Sequence, residues 1–289
     1  MIKTKCIDEF KIGQNIYGFY QSIFKEKKIS KNGDYYIDLF LKDKTGKING
    51  KIWNFIDFYD SAFKEGDLVV VKGEIKKYRK TLYLEVNHIS LLDSARYSKY
   101  GFDNTNLCPT IDTSPNIIFN KITKEIKKLN NPFKKLLLNI YNHYEDKIKN
   151  YPDDLLLSDY DKKGSLILKI YRSVAIAKSF QKFYSKDDID LILSALLLKY
   201  IGRVKQYQYD LIFSFSDIGS SEDCIILSRD IIKDFSNKIN IPKKNINELI
   251  DIIMYDYISK SREEKNNKGS LVSIIYDLEK TLFLNGLEK

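Results

Sequence analysis

The chain has 289 residues, 43% of them hydrophobic and 13% aromatic, with 48 Lys and Arg against 39 Asp and Glu. That composition excludes a disordered chain, and the length is enough for two modest cores. The charge of +9 is compatible with a polyanionic partner without demanding one, and only two histidines, His88 and His143, are present to serve metal or acid–base chemistry.

From the N-terminus to about Asp93 the hydrophobicity alternates with the period of half-buried strands. "KIGQNIYGFYQSIFKEKK" opens the series. In "YYIDLFLKD", Ile37, Leu39 and Leu41 share one face, and Tyr36, Asp38, Phe40 and Lys42 share the other. "KTG" at 44–46 is a turn. "KINGKIW" then sends Ile48, Gly50 and Ile52 inward and Asn49, Lys51 and Trp53 outward. "FKEGDLVVVKGEIKKY" and "TLYLEVNHISLL" add two strands around a turn at Tyr78, Arg79 and Lys80, giving five in all. So few strands are best protected by closing them into a barrel, with Gly18, Gly50 and Gly73 at its bends.

Residues 94–114 lose the alternation and read as a linker between a domain at 1–93 and another at 115–289. After Pro115 the period becomes helical. Ile117, Ile118, Ile122, Ile126 and Leu129 lie near 3.6-residue spacing. Further helices are expected at about 164–184, 187–202, 221–239, 243–259 and 269–285, with Ser185 capping the second. Strand signals are scarce, so this half is expected to be all-helical. The fold class is therefore α+β, a five-stranded barrel followed by an all-α domain.

The outward set Tyr36, Phe40, Lys42, Lys51 and Trp53 mixes aromatics with cations on paired strands, and Tyr78 and Arg79 lie at the neighbouring hairpin tip. Single-stranded nucleic acid calls for this mixture. Bases stack on the rings at about 1–3 kcal/mol each, and cations follow the backbone. The alternative is that the same residues cover the barrel where it meets the helical half or a protein partner.

The stretches "ISKNGDYYIDLFLKDKTGKINGKIWN" and "FKEGDLVVVKGEIKKYRKTLYLEVNHISLL" carry further features. These are a Lys-Asn-Gly before a strand, an Asp-Lys-Thr-Gly turn, a Lys-Ile-Trp strand end, a Gly-Asp-x-Val-x-Val-Lys-Gly strand and a Tyr-Arg-x-x-Leu-x-Leu hairpin. In this, residues 14–92 resemble the OB-fold domain of the YhaM-type 3′-5′ exoribonucleases. The resemblance implies binding of single-stranded RNA or DNA. It also implies an HD domain after the barrel, and landmarks in residues 115–289 follow in the same order. "LLLKYIGRVK" matches the helix end where the family has a His-Asp pair, but holds Lys199 and Tyr200. A His is expected near Lys169, another near Cys224 and paired His near Asp256, and an Asp at or near Asp277. Asp277 and Cys224 alone cannot build a metal site, and lysines at 169 and 199 would repel a metal ion. The domain is thus expected to be a degenerate HD fold, with no metal, no cofactor and no enzymatic activity.

No other chemistry replaces it. The glycines of "KEGDLVVVKGE" lie at strand positions and not in a phosphate-cradling loop. His143 lies outside every landmark and is expected at a surface or interface. Cys224 heads an apolar run, "CIIL", which suits a structural thiol. Lys169, Arg172, Lys199 and Arg203 could line a cationic pocket for a phosphate; the alternative is a set of solvated helix ends. Cys6, Cys108 and Cys224 are far apart and form no CxxC pair. Together with an N-terminus lacking an apolar core and the absence of any run near the ~20 apolar residues of a membrane helix, they predict a cytoplasmic chain. Three functions stay open: a non-catalytic single-strand-binding protein whose helical half is a scaffold or oligomerisation surface, an active exoribonuclease, or a protein-interaction scaffold.

Overall fold

The computed structural model describes residues 5–97, 102, 107–130, 133–157, 160–239, 241–258 and 267–284. The chain divides into two compact units, residues 1–109 and 110–289. Part of the predicted linker, residues 98–101 and 103–106, lies outside the described residues.

The first unit is a closed barrel of β1 (Asn15–Ile29), β2 (Tyr35–Lys42), β3 (Lys47–Ile52), β4 (Leu68–Tyr78) and β5 (Thr81–Leu91), in the order β1-β2-β3-β5-β4. Strand β1 is long enough to serve both neighbours. Its first half pairs with β4 and its second with β2, and a bulge between Ser22 and Phe24 turns the strand between them. β3 and β5 close the barrel in parallel. The alternation read from the sequence is the core. Ile37, Leu39, Leu41, Ile48 and Ile52 point inward with Val69, Val71, Ile75, Leu84 and Ile89. Gly73 sits where β4 presses on β5, and a Cβ there would come within 2.3 Å of the Glu85 carbonyl oxygen. The Asp-Lys-Thr-Gly turn is held by buried Asp43. Its Oδ1 accepts from the Thr45 amide at 2.7 Å and the Gly46 amide at 3.1 Å, and its Oδ2 accepts from the Ile7 amide at 2.8 Å. A short helix, α1 (Ile56–Ala62), joins β3 to β4. It buries Tyr59, whose hydroxyl lies 3.2 Å from His88 Nδ1.

After a single helical turn, α2 (Ser94–Tyr97), the second unit begins with α3 (Pro115–Lys128), α4 (Phe133–His143), α5 (Glu145–Asn150) and α6 (Ser165–Ser179). It continues with α7 (Lys186–Leu198), α8 (Arg203–Gln206), α9 (Asp217–Ser221), α10 (Cys224–Lys238), α11 (Lys243–Ile253), α12 (Tyr255–Ile258) and α13 (Asn267–Leu284). One departure from an all-helical half is the small hairpin β6 (Tyr207–Tyr209) and β7 (Phe213–Phe215) between α8 and α9. Strands of three residues are too short to show a period in sequence.

Helix α7 is the axis of this unit. Ser185 caps it as predicted, its hydroxyl accepting from the Asp188 amide at 3.2 Å. Every residue from Ile189 to Leu198 is buried, the signature of a helix surrounded by others. A buried C-terminus leaves carbonyls without helical partners, and neighbouring elements supply donors. Tyr141 donates to Leu197 O at 2.9 Å, Tyr276 to Leu196 O at 2.7 Å and Ser228 to Lys199 O at 2.8 Å. Gly202 follows, so close to α10 that a Cβ would lie 2.0 Å from the Cys224 carbonyl oxygen. The end of α7 is thereby pinned between α4, α10 and α13. No described helix is long and apolar enough to cross a membrane.

Candidate nucleic-acid interface and a buried ionic centre

The outward residues of β2 and β3 form one surface on the barrel. Trp53, just past β3, stacks on Tyr36 with ring centres 4.7 Å apart and planes 25° from parallel. Lys51 Nζ lies over both rings, at 5.4 Å from Tyr36 and 5.8 Å from Trp53. It also lies 5.6 Å from the ring of Tyr83 on β5, a residue the sequence pattern does not single out. Phe40 is exposed and meets Phe24 of β1 edge-on at 6.0 Å. Lys42, half-buried, ends β2. Tyr78 is exposed at the β4–β5 tip, with the Arg79 guanidinium 5.5 Å from its ring. Arg79 has φ 56°, the left-handed conformation that arginine rarely adopts. The seven predicted residues therefore lie on β2, β3 and the β4–β5 hairpin, with the tightest grouping around Lys51. Tyr83 joins them through the parallel β3–β5 pairing, and hairpin alternation carries no signal for that register.

The carboxylate of Asp38 on this surface is already engaged. Asp38 accepts from Lys28 Nζ at 2.7 Å and from Asn49 Nδ2 at 2.7 Å. Partial burial works to raise its pKa, but these two bonds outweigh it and hold the carboxyl below its usual range. Beyond Trp53 the surface continues into a cleft of about 570 Å³ lined by Lys27, Asp34, Tyr35, Trp53, Ile56 and Asp57.

The helical unit holds a different arrangement at the end of α7. Lys199 is 2% exposed, and its Nζ donates to Asp256 Oδ2 at 2.7 Å and to Ser273 Oγ at 3.3 Å. Lys169 on α6 donates to buried Asp153 Oδ2 at 2.7 Å. Both ammonium groups lie over the same two rings. Lys169 is 4.5 Å from Tyr200 and 5.5 Å from Tyr276, and Lys199 is 6.0 Å and 5.4 Å from them. Arg172 lies 3.7 Å from Glu279, and Arg203 lies 3.5 Å from Asp154. Burial raises the Glu279 carboxyl to about 7 against the opposing pull of Lys169 and Arg172. Asp256 is held low, because its bonds from Lys199 and Ser273 outweigh its burial. Burial likewise raises the Cys224 thiol to about 12, as an inert structural thiol requires; it donates to Tyr200 O at 3.6 Å.

The structure fits neither of the two alternatives the sequence leaves open for the four cations, a cationic phosphate pocket or solvated helix ends. Each of Lys169, Arg172, Lys199 and Arg203 faces a carboxyl group, and none is a solvated helix end. Asp256 pairs with Lys199, while Asp277 is exposed on α13, one residue beyond inward-facing Tyr276. A step of one residue rotates a side chain by about 100° around a helix. His143 is exposed and packs edge-on against Tyr144 and Phe235.

The resemblance implies divalent metal in this unit, and the residues present do not fit one. Metals of that kind take imidazole and carboxylate donors. Here the two carboxylates nearest the lysines already accept ammonium bonds. Asp153 Oδ1 and Glu279 Oε1 are buried without a hydrogen-bond partner, and two carboxylate oxygens with no imidazole do not make the donor set of such a metal. Among the described residues no three His, Cys, Asp or Glu side chains gather closely enough to hold a metal ion.

Residues 22–92 match the model of a family described as an OB-fold nucleic acid binding domain. The barrel is an OB fold. Over the whole chain, a protein named 3′-5′ exoribonuclease YhaM from Halalkalibacterium halodurans is 20% identical across 265 residues. That match takes in 90% of this chain and 78% of the relative. A protein of the same name from Geobacillus sp. is 25% identical across 210 residues, 70% of this chain and 61% of the relative. The second OB-fold domain of replication protein A from Methanococcus maripaludis, solved by NMR, is 27% identical, covers 32% of this chain and 97% of its own, and superposes with a TM-score of 0.27.

These findings place the chain's likeness with YhaM exoribonucleases, as the motifs of the OB barrel imply. They also overturn one expectation. The loss of histidines at 169 and 199 predicts a non-enzyme, yet the relatives sharing 90% and 70% of this chain's length are named as exoribonucleases. The lysines bear on metal binding at those positions. They do not bear on what the rest of the chain does.

Proposed function

We propose that this chain acts on single-stranded nucleic acid, RNA foremost, and that the OB barrel is its strand-holding surface. In this reading residues 1–93 are the binding domain, 94–114 the linker and 115–289 an HD-like helical domain, in a protein of the cytoplasm. The observation that carries it is the grouping of Tyr36, Trp53 and Tyr83 around Lys51 on an OB-fold face. Rings offer stacking platforms to bases of any identity, and Lys51, Lys42 and Arg79 offer charge to the phosphates. The test is fluorescence anisotropy with labelled single-stranded RNA and DNA of the same sequence, against duplex. Preference for the single strand supports the reading. Equal or absent binding of all three refutes it.

A second reading is carried by the likeness to exoribonucleases that continues through the helical unit. Bound RNA is then shortened from its 3′ end. A 5′-labelled RNA incubated with the protein and Mn²⁺ would yield a ladder of shorter 5′-labelled products, and an RNA unchanged after long incubation would refute it. No catalytic step is assigned to the ionic centre.

A further inference from the structure

We propose that the ammonium groups of Lys169 and Lys199 serve the helical unit as its bridging cations, locking the fold around α7 without a divalent metal. A structural metal joins elements distant in sequence by drawing their donors onto one positive charge. Lys199 does this from the end of α7. It reaches Asp256 on α12 and Ser273 on α13, and Ser273 Oγ closes the set by donating to Asp256 Oδ1 at 2.5 Å. Lys169 does it from α6 by binding Asp153, in the segment between α5 and α6. The two sets are joined through the faces of Tyr200 and Tyr276, which both ammonium groups share. Tyr276 in turn anchors its hydroxyl on the Leu196 carbonyl, at the end of the same helix. Arg172 with Glu279 links α6 to α13, and Arg203 with Asp154 links α8 to the segment before α6.

Four cations thus face four carboxyl groups. Ammonium and guanidinium groups are donors only, so a metal ion entering the cage would meet four like charges. It could take Asp153 Oδ2 or Asp256 Oδ2 only by displacing a lysine held at 2.7 Å. The inference rests on the helical unit alone and goes beyond the strand-binding reading, so failure of either leaves the other standing.

The experiment uses the full chain and Mn²⁺ alone. Binding is followed by loss of the free Mn²⁺ electron paramagnetic resonance signal, in the wild type and in an Asp153→Asn/Asp256→Asn double variant. No binding, or equal binding by both, supports the proposal. Binding lost in the double variant overturns it. Thermal unfolding supplies the second arm. The Tm is expected to be the same in EDTA and in Mn²⁺. Lys199→Met is expected to lower it by several degrees, and Lys199→Arg to restore most of the loss. A Met variant that melts with the wild type overturns the proposal. Should that variant fail to fold, Asp256→Asn, at a half-exposed partner, takes its place: a lower Tm supports the proposal and an unchanged one overturns it.

Discussion

Replacing Trp53 by alanine isolates the stacking contribution of the OB barrel. Trp53 is 36% exposed, and one face of its indole is already covered by Tyr36 at 4.7 Å. Only the outer face is left for a ligand, so one base and no more can stack there. One base–aromatic stack is worth about 1–3 kcal/mol, so the dissociation constant should rise roughly 5- to 150-fold. The lower part of that range is expected, because the variant uncovers Tyr36, whose ring can accept the base in part. Trp53→Phe should lose much less. The assay is anisotropy of a labelled single-stranded RNA at low ionic strength, with circular dichroism confirming an intact barrel. Trp53 is the only tryptophan in the chain, so binding should also perturb the intrinsic emission of the wild type. An alanine variant that binds as tightly as the wild type would remove base stacking at Trp53 from the mechanism of binding.

Two other predictions concern stability. Gly202→Ala places a methyl against the backbone of α10, where both Cys224 O and Ser228 N are too near. Overpacking of this kind costs about 1–3 kcal/mol, and for a unit of this size that is a Tm loss of about 2–12 °C; an unchanged Tm would mean that α7 and α10 are less tightly apposed. Glu279, raised by burial to about 7, binds its proton more tightly folded than unfolded, where a glutamate titrates near 4.3. The folded state therefore holds more protons between those values, and its stability falls as pH rises through that window. Denaturant midpoints taken from pH 4.5 to 7.5 should show this fall, and Glu279→Gln should flatten it; parallel curves for both proteins would refute the assignment.

The barrel is legible because its hairpins obey a period of two. Ile37, Leu39 and Leu41 against Tyr36, Asp38 and Phe40 state the register and the inner face at once. Helix α1 is not legible, because it has seven residues and is entered through Phe55 in a left-handed conformation, which no residue type announces. Tyr83 is hidden for a topological reason. Parallel closure of β3 on β5 sets which residues adjoin Lys51, and local alternation is silent on strands that are not consecutive.

The helical unit is legible in outline and misleading at its centre. Lys169, Lys199, Tyr200 and Asp256, positions that the resemblance marks as places of metal ligands, lie together in the fold. The sequence does not point to their partners Asp153 and Tyr276, nor to Glu279 beside Arg172. Asp153 lies in the sequence "YPDDLLLSDYDKKG", where an aspartate that will be buried looks like any solvated one. A lysine is ordinarily a surface residue, so four basic residues on helices read as open charge until the fold supplies a carboxyl for each. The expectation of no activity fails for a related reason. It extends from four or five positions to the whole chain, and the likeness to named exoribonucleases reaches well beyond them.

The salt dependence of RNA binding tests the central claim, that the barrel face grips a single strand through rings and phosphate contacts, most directly. With Lys42, Lys51 and Arg79 each neutralising one phosphate, the logarithm of the association constant should fall with the logarithm of salt at a slope of about −2, and Lys51→Gln should make it shallower by about 0.7. An affinity indifferent to salt, or no binding to single strands even at low ionic strength, would contradict that claim.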